Sequence, residues 1–504
     1  MNTWLALWMG LELATVLMVA EIVWSDWSWH RRRLFIFLPI ATSFVSLYAV
    51  LAHDRIYMTV PVALMHIYYV VNMVRVFHAL SPEARLRQTL LREQSLLAVT
   101  TICLTTVWWM VAHLDVDSIL GLFSVVSLAF AALMAVSLVL NVWHSRKVTV
   151  IKTPTANLPT VSLLIAARNE HHAIMRTIQA ALASDYPKLE IIVLDDCSQD
   201  ATDVIVKTFA RQGVRFIAGD LPKTGWQARN QAFDRMLEEA SGEYVAFMGV
   251  DVHVSPESIR SMIQLMISRK IDMVSVMPKR RHVNVWGSLL LVPRNFWLLA
   301  WPRGDDNPAV ISSFWMMRRA ALKQLGEFEA VRASINPERH FAKATAAVGR
   351  YRFITGDHAY GLTTRKRLSS QLETEIRNLY PNLHRSVART ALASMAYLAV
   401  FLVPFVGVWL PVDVYAKTAW ALAIAVMVIT HCVVYYFTIP KMWFAGVVNM
   451  PIVFAIEFWL MQVSMYRYEF SEVLWKGRNV CEPIKLRPIA HLPKRSLQSK
   501  TTQS

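Results

Sequence analysis

Five apolar runs open the chain, at about residues 4–24, 34–52, 56–77, 95–113 and 119–143. Each is about the length a helix needs to cross a hydrocarbon core of ~30 Å. Between residues 158 and about 385 the texture changes. Apolar runs shorten, and strand patterns alternate with helical ones, which predicts an α/β domain. Strands are expected at Val161–Ala166, Glu190–Leu194, Val214–Ile217 and Tyr244–Met248, and helices at Ala173–Ala183 and Thr202–Arg211. Val285–Trp301 is apolar but holds Pro293, Arg294 and Asn295, and reads as an interfacial helix. Two further spans are expected near 391–411 and 414–436. A third run, 444–464, contains Asn449, Pro451, Glu457 and Gln462, which are costly at mid-membrane. It reads as re-entrant or interfacial.

The organisation expected is therefore a transmembrane region at 1–147, an α/β domain at 158–385, a second membrane region at 386–465 and a basic tail at 466–504. Composition agrees: of 504 residues 55% are hydrophobic and only 17% charged, below the usual quarter for soluble domains. The net charge of +16 sits beside the apolar runs and in the tail. Arg31–Arg33, Arg85, Arg87, Arg92, Arg146 and Lys147 mark alternate loops. The positive-inside rule then places the N-terminus outside and residues 144 onward in the cytosol, most simply across a bacterial inner membrane. No stripe of basic and aromatic residues forms a nucleic-acid surface. Four widely spaced cysteines make neither a metal pair nor a disulfide framework. The apolar N-terminus has no basic n-region or cleavage signal, so its first span is expected to be retained.

The first expected strand ends in Arg168-Asn169-Glu170, and the second in Asp195-Asp196-Cys197-Ser198-Gln199-Asp200. Polar groups at adjacent strand ends suit a nucleoside, because carboxylates accept from a base N–H and from ribose hydroxyls. The same residues also suit a capped helix start at Ser198 or Asp200.

These segments, with Ser241-Gly-Glu-Tyr-Val-Ala-Phe247, resemble the family 2 glycosyltransferases. Asn378-Leu-Tyr-Pro381 and Trp475-Lys-Gly-Arg478 resemble its lipid-glycosylating branch, which includes ceramide glucosyltransferase and carotenoid-acid glycosyltransferase relatives. The resemblance implies a GT-A fold inserted between membrane bundles. It implies inverting transfer from a nucleotide sugar, a UDP- or GDP-sugar, to a membrane lipid. It places Asp196, with Asp195, against the nucleobase and Glu170 near the ribose. Arg229 of Gly225-Trp226-Gln-Ala-Arg229-Asn230 stands where the family carries a lysine that meets the diphosphate. Trp475, Lys476 and Arg478 would lie at the diphosphate or at the membrane surface.

The chain departs from the family at three points. The Asp-x-Asp metal turn reads Gly249-Val-Asp251-Val-His253, leaving Asp251, with His253, to hold a divalent ion, Mn or Mg. The expected acidic pair reads Pro337-Glu338, which leaves Glu338 as the catalytic base or as a helix-start carboxylate. The Gln-x-x-Arg-Trp segment is absent, because Gln371–Arg377 has the wrong spacing. Two other readings stay open: a membrane scaffold that keeps the fold without the chemistry, and a polysaccharide synthase.

Overall fold

The computed structural model describes residues 116–146, 158–280, 291–355, 360–366, 368–471 and 473–480. The first four apolar runs and the tail beyond residue 480 lie outside the described residues. The fifth run forms α1 (Val116–Arg146). The central domain then runs β1 (Val161–Ala167), α2 (Ile174–Leu182), β2 (Leu189–Asp195), α3 (Thr202–Lys207), β3 (Val214–Ala218), α4 (Ala228–Glu239) and β4 (Tyr244–Met248). It continues with β5 (Val252–His253), α5 (Ser258–Arg269), β6 (Met273–Met277), β7 (Lys279–Arg280), α6 (Leu291–Ala300), β8 (Phe314–Arg318), α7 (Arg319–Gln324), α8 (Pro337–Ala346), β9 (Tyr351–Thr355), β10 (Thr363–Thr364) and α9 (Leu368–Asn382).

Seven strands form one sheet in the order β3-β2-β1-β4-β8-β6-β9. The first four are parallel, and β8 runs antiparallel to both its neighbours. Side chains alternate between two cores, as strand geometry demands. Leu163 and Ile165 pack with Ile174 and Ile178 on one face, while Leu164 packs with Phe233, Phe247 and Trp315 on the other. Phe247 and Trp315 are cross-strand partners, and their rings stack with centroids 4.0 Å apart. Gly242 of the Ser241-Gly-Glu turn lies so close to β1 that a Cβ there would come 2.5 Å from Ser162 N.

Beyond the domain come α10 (Val387–Tyr397), a π-helical turn at Leu398–Leu402, α11 (Val403–Gly407), α12 (Val414–Thr438) and α13 (Ala445–Phe470). Among the described residues four helical stretches are long and apolar enough to cross a membrane: Leu120–Ser145, Arg389–Gly407, Val414–Thr438 and Ala445–Glu469. The run expected to be re-entrant or interfacial thus forms one unbroken helix, α13. Its polar residues are met by neighbours. Glu457 accepts from Trp297 Nε1 at 2.8 Å and Tyr397 OH at 2.6 Å, and Gln462 donates to Ser394 Oγ at 2.7 Å. These bonds offset the cost of placing polar groups in an apolar bundle.

After α13 the chain makes a hairpin, β11 (Leu474–Trp475) and β12 (Arg478–Asn479). Its two-residue turn is Lys476-Gly477, both at positive φ (50° and 79°), the conformation that matches the twist of paired strands.

Candidate functional site

β1 and β2 end level with each other, with Ala167 opposite Asp195. This register sets Arg168-Asn169-Glu170 beside Asp196-Cys197-Ser198. The two turns are knitted together: Asn169 N donates to Ser198 Oγ at 2.9 Å, Glu170 N to Thr202 Oγ1 at 2.9 Å, and Gln199 N to Asn169 Oδ1 at 2.8 Å. Arg168 donates to the carbonyls of Asp196 and Cys197 at 2.6 and 2.7 Å. Asn169 and Cys197 both sit at positive φ (51° and 53°), which non-glycine residues adopt only where the surroundings hold them.

A cavity of about 1100 Å³ opens at these turns. Glu170, Asp196, Arg229, Asp251, His253, Trp475 and Lys476 all line it. Asp195 does not line it: the carboxylate turns inward, and Oδ2 accepts from Ser198 N at 3.1 Å. It holds the turn through Oδ2, while Oδ1 is buried with no hydrogen-bond partner among the described residues. Arg478 lines an adjoining cavity of about 400 Å³.

The hairpin after α13 reaches into this site. Lys476 Nζ lies 3.0 Å from Glu170 Oε1, Arg478 Nη1 lies 2.5 Å from Asp196 Oδ2, and Arg168 Nε donates to Lys476 O at 3.0 Å. Burial pushes the carboxyls of both Glu170 and Asp196 above their ordinary range, and Lys476 and Arg478 respectively offset part of that rise.

Residues 162–326 match the model of glycosyl transferase family 2. The matched stretch runs from β1 to just past α7, and this part of the central domain is similar to that family. Curated relatives match it in the same way. The succinoglycan biosynthesis protein ExoO of Rhizobium meliloti is 36% identical over 21% of this chain and 30% of its own length. The UDP-Glc:α-D-GlcNAc-diphosphoundecaprenol β-1,3-glucosyltransferase WfaP of Escherichia coli is 33% identical over 22% of this chain and 43% of its own. The β-monoglucosyldiacylglycerol synthase of Trichormus variabilis is 24% identical over 35% of each. The chain thus spans well under half the length of these relatives.

Within this GT-A-like domain, the metal turn departs furthest from expectation. Asp251 and His253 sit two residues apart and both line the cavity, and burial lowers the His253 pKa. Among the described residues no three His, Cys, Asp or Glu side chains group to hold an ion. Asp251 is instead faced by cations: it acts electrostatically on Arg229, Arg280 and Lys366. Glu170 is a second carboxylate within reach of its charge, and two carboxylates outnumbered by three cations do not fit a resident divalent ion.

Glu338 starts α8 directly after Pro337 and is 3% exposed. It is set back from the cavity wall, behind Arg229, whose charge it stabilises. Its Oε2 has no hydrogen-bond partner among the described residues. Asn230 is structural: its amide donates to the carbonyls of Val331, Arg332 and Ser334 at 2.8–3.2 Å, pinning α4 to the loop before α8. Sequence reasoning missed Arg280, Arg294, Lys366, Glu375 and Arg377, which complete the wall. The minimal strands β7 and β10 carry no periodic signal, and α9 was read for its Gln371–Arg377 mismatch and its Asn378–Pro381 resemblance rather than for wall residues.

Proposed function

We propose that this protein transfers a sugar from a UDP- or GDP-sugar to a lipid acceptor within the membrane, with inversion at the anomeric carbon. One observation carries the reading: Glu170 and Asp196 stand at adjacent strand ends on a single cavity whose far wall is built from α6 and α9. α9 is bound in turn to α13, with Tyr380 N donating to Ser464 Oγ at 3.1 Å and Tyr468 OH to Arg377 O at 2.8 Å. The cavity is thus walled by α9, which is itself anchored on the apolar helices. Two of the relatives carry names that specify lipid-linked acceptors, diphosphoundecaprenol and diacylglycerol.

In this reading Asp196 accepts from the nucleobase and Glu170 from the ribose. The acceptor hydroxyl attacks the anomeric carbon. The bond to the diphosphate breaks with its electron pair, and the hydroxyl proton passes to a carboxylate: Glu338, where side-chain movement brings its uncommitted Oε2 to the cavity, or else Glu375 on the wall. The domain faces the cytosol of a bacterial inner membrane. Because the hairpin beyond α13 is paired with Asp196, the three helices α10–α11, α12 and α13 make an even number of crossings. We take α13, which carries Pro451 within its length, as the one lying along the interface. Labelling from outside intact cells of a cysteine placed at exposed Ser241 would overturn this topology.

Calorimetry with a panel of UDP- and GDP-sugars tests the donor reading. Saturable binding to the wild type, lost in Asp196→Ala, is expected. Equal affinity in Asp196→Ala refutes the pocket, and no binding of any donor favours a scaffold that has lost the chemistry.

A further inference from the structure

The wall facing Asp251 is crowded with positive charge, and the chain topology puts it there. β10 lies between β5 and β7, so Thr364 stands opposite both Val252 and Arg280. This brings Asp251, Arg280 and Lys366 to one corner, where Arg365 N donates to Asp251 O at 2.9 Å. Arg280 gives one terminal nitrogen to Lys366 O at 2.7 Å, while its other is buried with no hydrogen-bond partner among the described residues. Arg229 and Arg294 approach from across the cavity, donating to Ser312 O at 2.6 Å and Ser312 Oγ at 3.2 Å. Arg377 stacks on Trp475 with its carbon 5.2 Å from the ring centroid, and its Nε is likewise buried without a partner among the described residues.

Against these cations the cavity sets Glu170, Asp196, Asp251, Glu373 and Glu375, of which Glu170 and Asp196 are already paired with Lys476 and Arg478. Guanidinium N–H groups buried without acceptors are costly and call for an anion. A diphosphate supplies both the charge and a set of acceptor oxygens, and the planar guanidinium fork matches phosphate geometry. A divalent ion would meet the opposite conditions. Only one carboxylate remains in the turn, and a Cβ at Gly249 would come 2.8 Å from Asp251 Oδ1, so that oxygen already occupies the space beside the missing first acid. An ion on Asp251 would also be repelled by Lys366 and Arg280.

We propose that the donor diphosphate is bound by Arg229, Arg280 and Lys366 in place of a divalent ion, with Asp251 acting as a positioning residue for Lys366 and Arg280. This inference rests on the nucleotide-sugar reading above. As the bond from the anomeric carbon breaks, its electron pair goes to the diphosphate oxygen. The charge that develops there is met by fixed guanidinium and ammonium N–H groups, while the acceptor proton goes to the carboxylate base.

Calorimetry of UDP and GDP on the full chain, in EDTA and again with manganese, decides between the two arrangements. Binding in EDTA is expected, with an affinity within about threefold of that in manganese. Lys366→Met and Arg280→Met should each weaken it about tenfold or more, the worth of a hydrogen bond to a charged group, with Lys366→Arg restoring much of the loss. Asp251→Asn should weaken binding by the same modest factor in EDTA and in manganese, whereas loss of a metal ligand would weaken it in manganese alone. Binding that requires manganese and disappears in Asp251→Asn overturns the inference and leaves the donor reading standing. Wild-type affinity in both Lys366→Met and Arg280→Met also overturns it. Binding of neither nucleotide under either condition overturns the donor reading and this inference together. Should a variant fail to fold, the wild-type comparison in EDTA and manganese still decides.

Discussion

Arg478 and Asp196 are 282 positions apart in sequence, yet their side chains meet at 2.5 Å, with 13% and 7% of each exposed. The pair ties the segment beyond the last membrane helix to the end of β2. Lys476 repeats the arrangement one strand over, at Glu170. The cavity is therefore bordered by a piece of chain that follows the last of the long apolar helices.

Arg478→Met should move the acid limb of nucleotide binding to higher pH. Burial already raises the Asp196 carboxyl, and Arg478 opposes that rise. Without Arg478 the pKa climbs further, so the ionised form that accepts from a base is lost at a higher pH as the solution is acidified. Breaking a buried pair on one side also costs roughly 3–5 kcal/mol, so thermal stability should fall. Nucleotide titrations from pH 5 to 8 check the first point; an unmoved acid limb contradicts it.

Glu338→Gln keeps size and removes basicity. It should leave donor affinity nearly unchanged and cut turnover by about two to four powers of ten. Because Glu338 is set back behind Arg229, Glu375→Gln is the informative companion, since Glu375 lies on the cavity wall. Loss of turnover in Glu375→Gln, with Glu338→Gln normal, moves the base to α9.

Asp234 gives a pH test of stability away from the site. Burial, with Glu238, Glu327 and Glu329 nearby, raises its carboxyl to about 6, against only Lys223. The folded state then holds a proton that the unfolded chain has released, so this group lowers stability as pH rises toward 6 and keeps it lower above. Asp234→Asn should raise the melting temperature at pH 8, with the gain shrinking below pH 6. An equal gain at pH 4.5 and pH 8 would contradict the cause.

Much of the frame was legible in the chain. β1, β2 and β4 are aliphatic runs covered on both faces, and such runs announce themselves. Glu170 and Asp196 follow from being where those strands stop. β6, β8 and β9 were not read, because they lie among segments of mixed polarity. Lys366 and Arg280 were invisible for a different reason. They meet only because β10 slots between two other two-residue strands, a pairing between segments more than eighty positions apart. Asp195 looked equivalent to Asp196 in sequence, but period-two alternation at the end of β2 sends one inward and the other to the cavity.

The most direct test of lipid glycosylation is transfer itself. Purified full-length protein in vesicles of total membrane lipid would be incubated with radiolabelled UDP- and GDP-sugars, and the label followed into the organic phase. The account predicts label in lipid with at least one donor, abolished by Asp196→Ala and sharply slowed by Glu338→Gln. Label that stays wholly aqueous with every donor, or that enters a polymer instead of lipid, would contradict it.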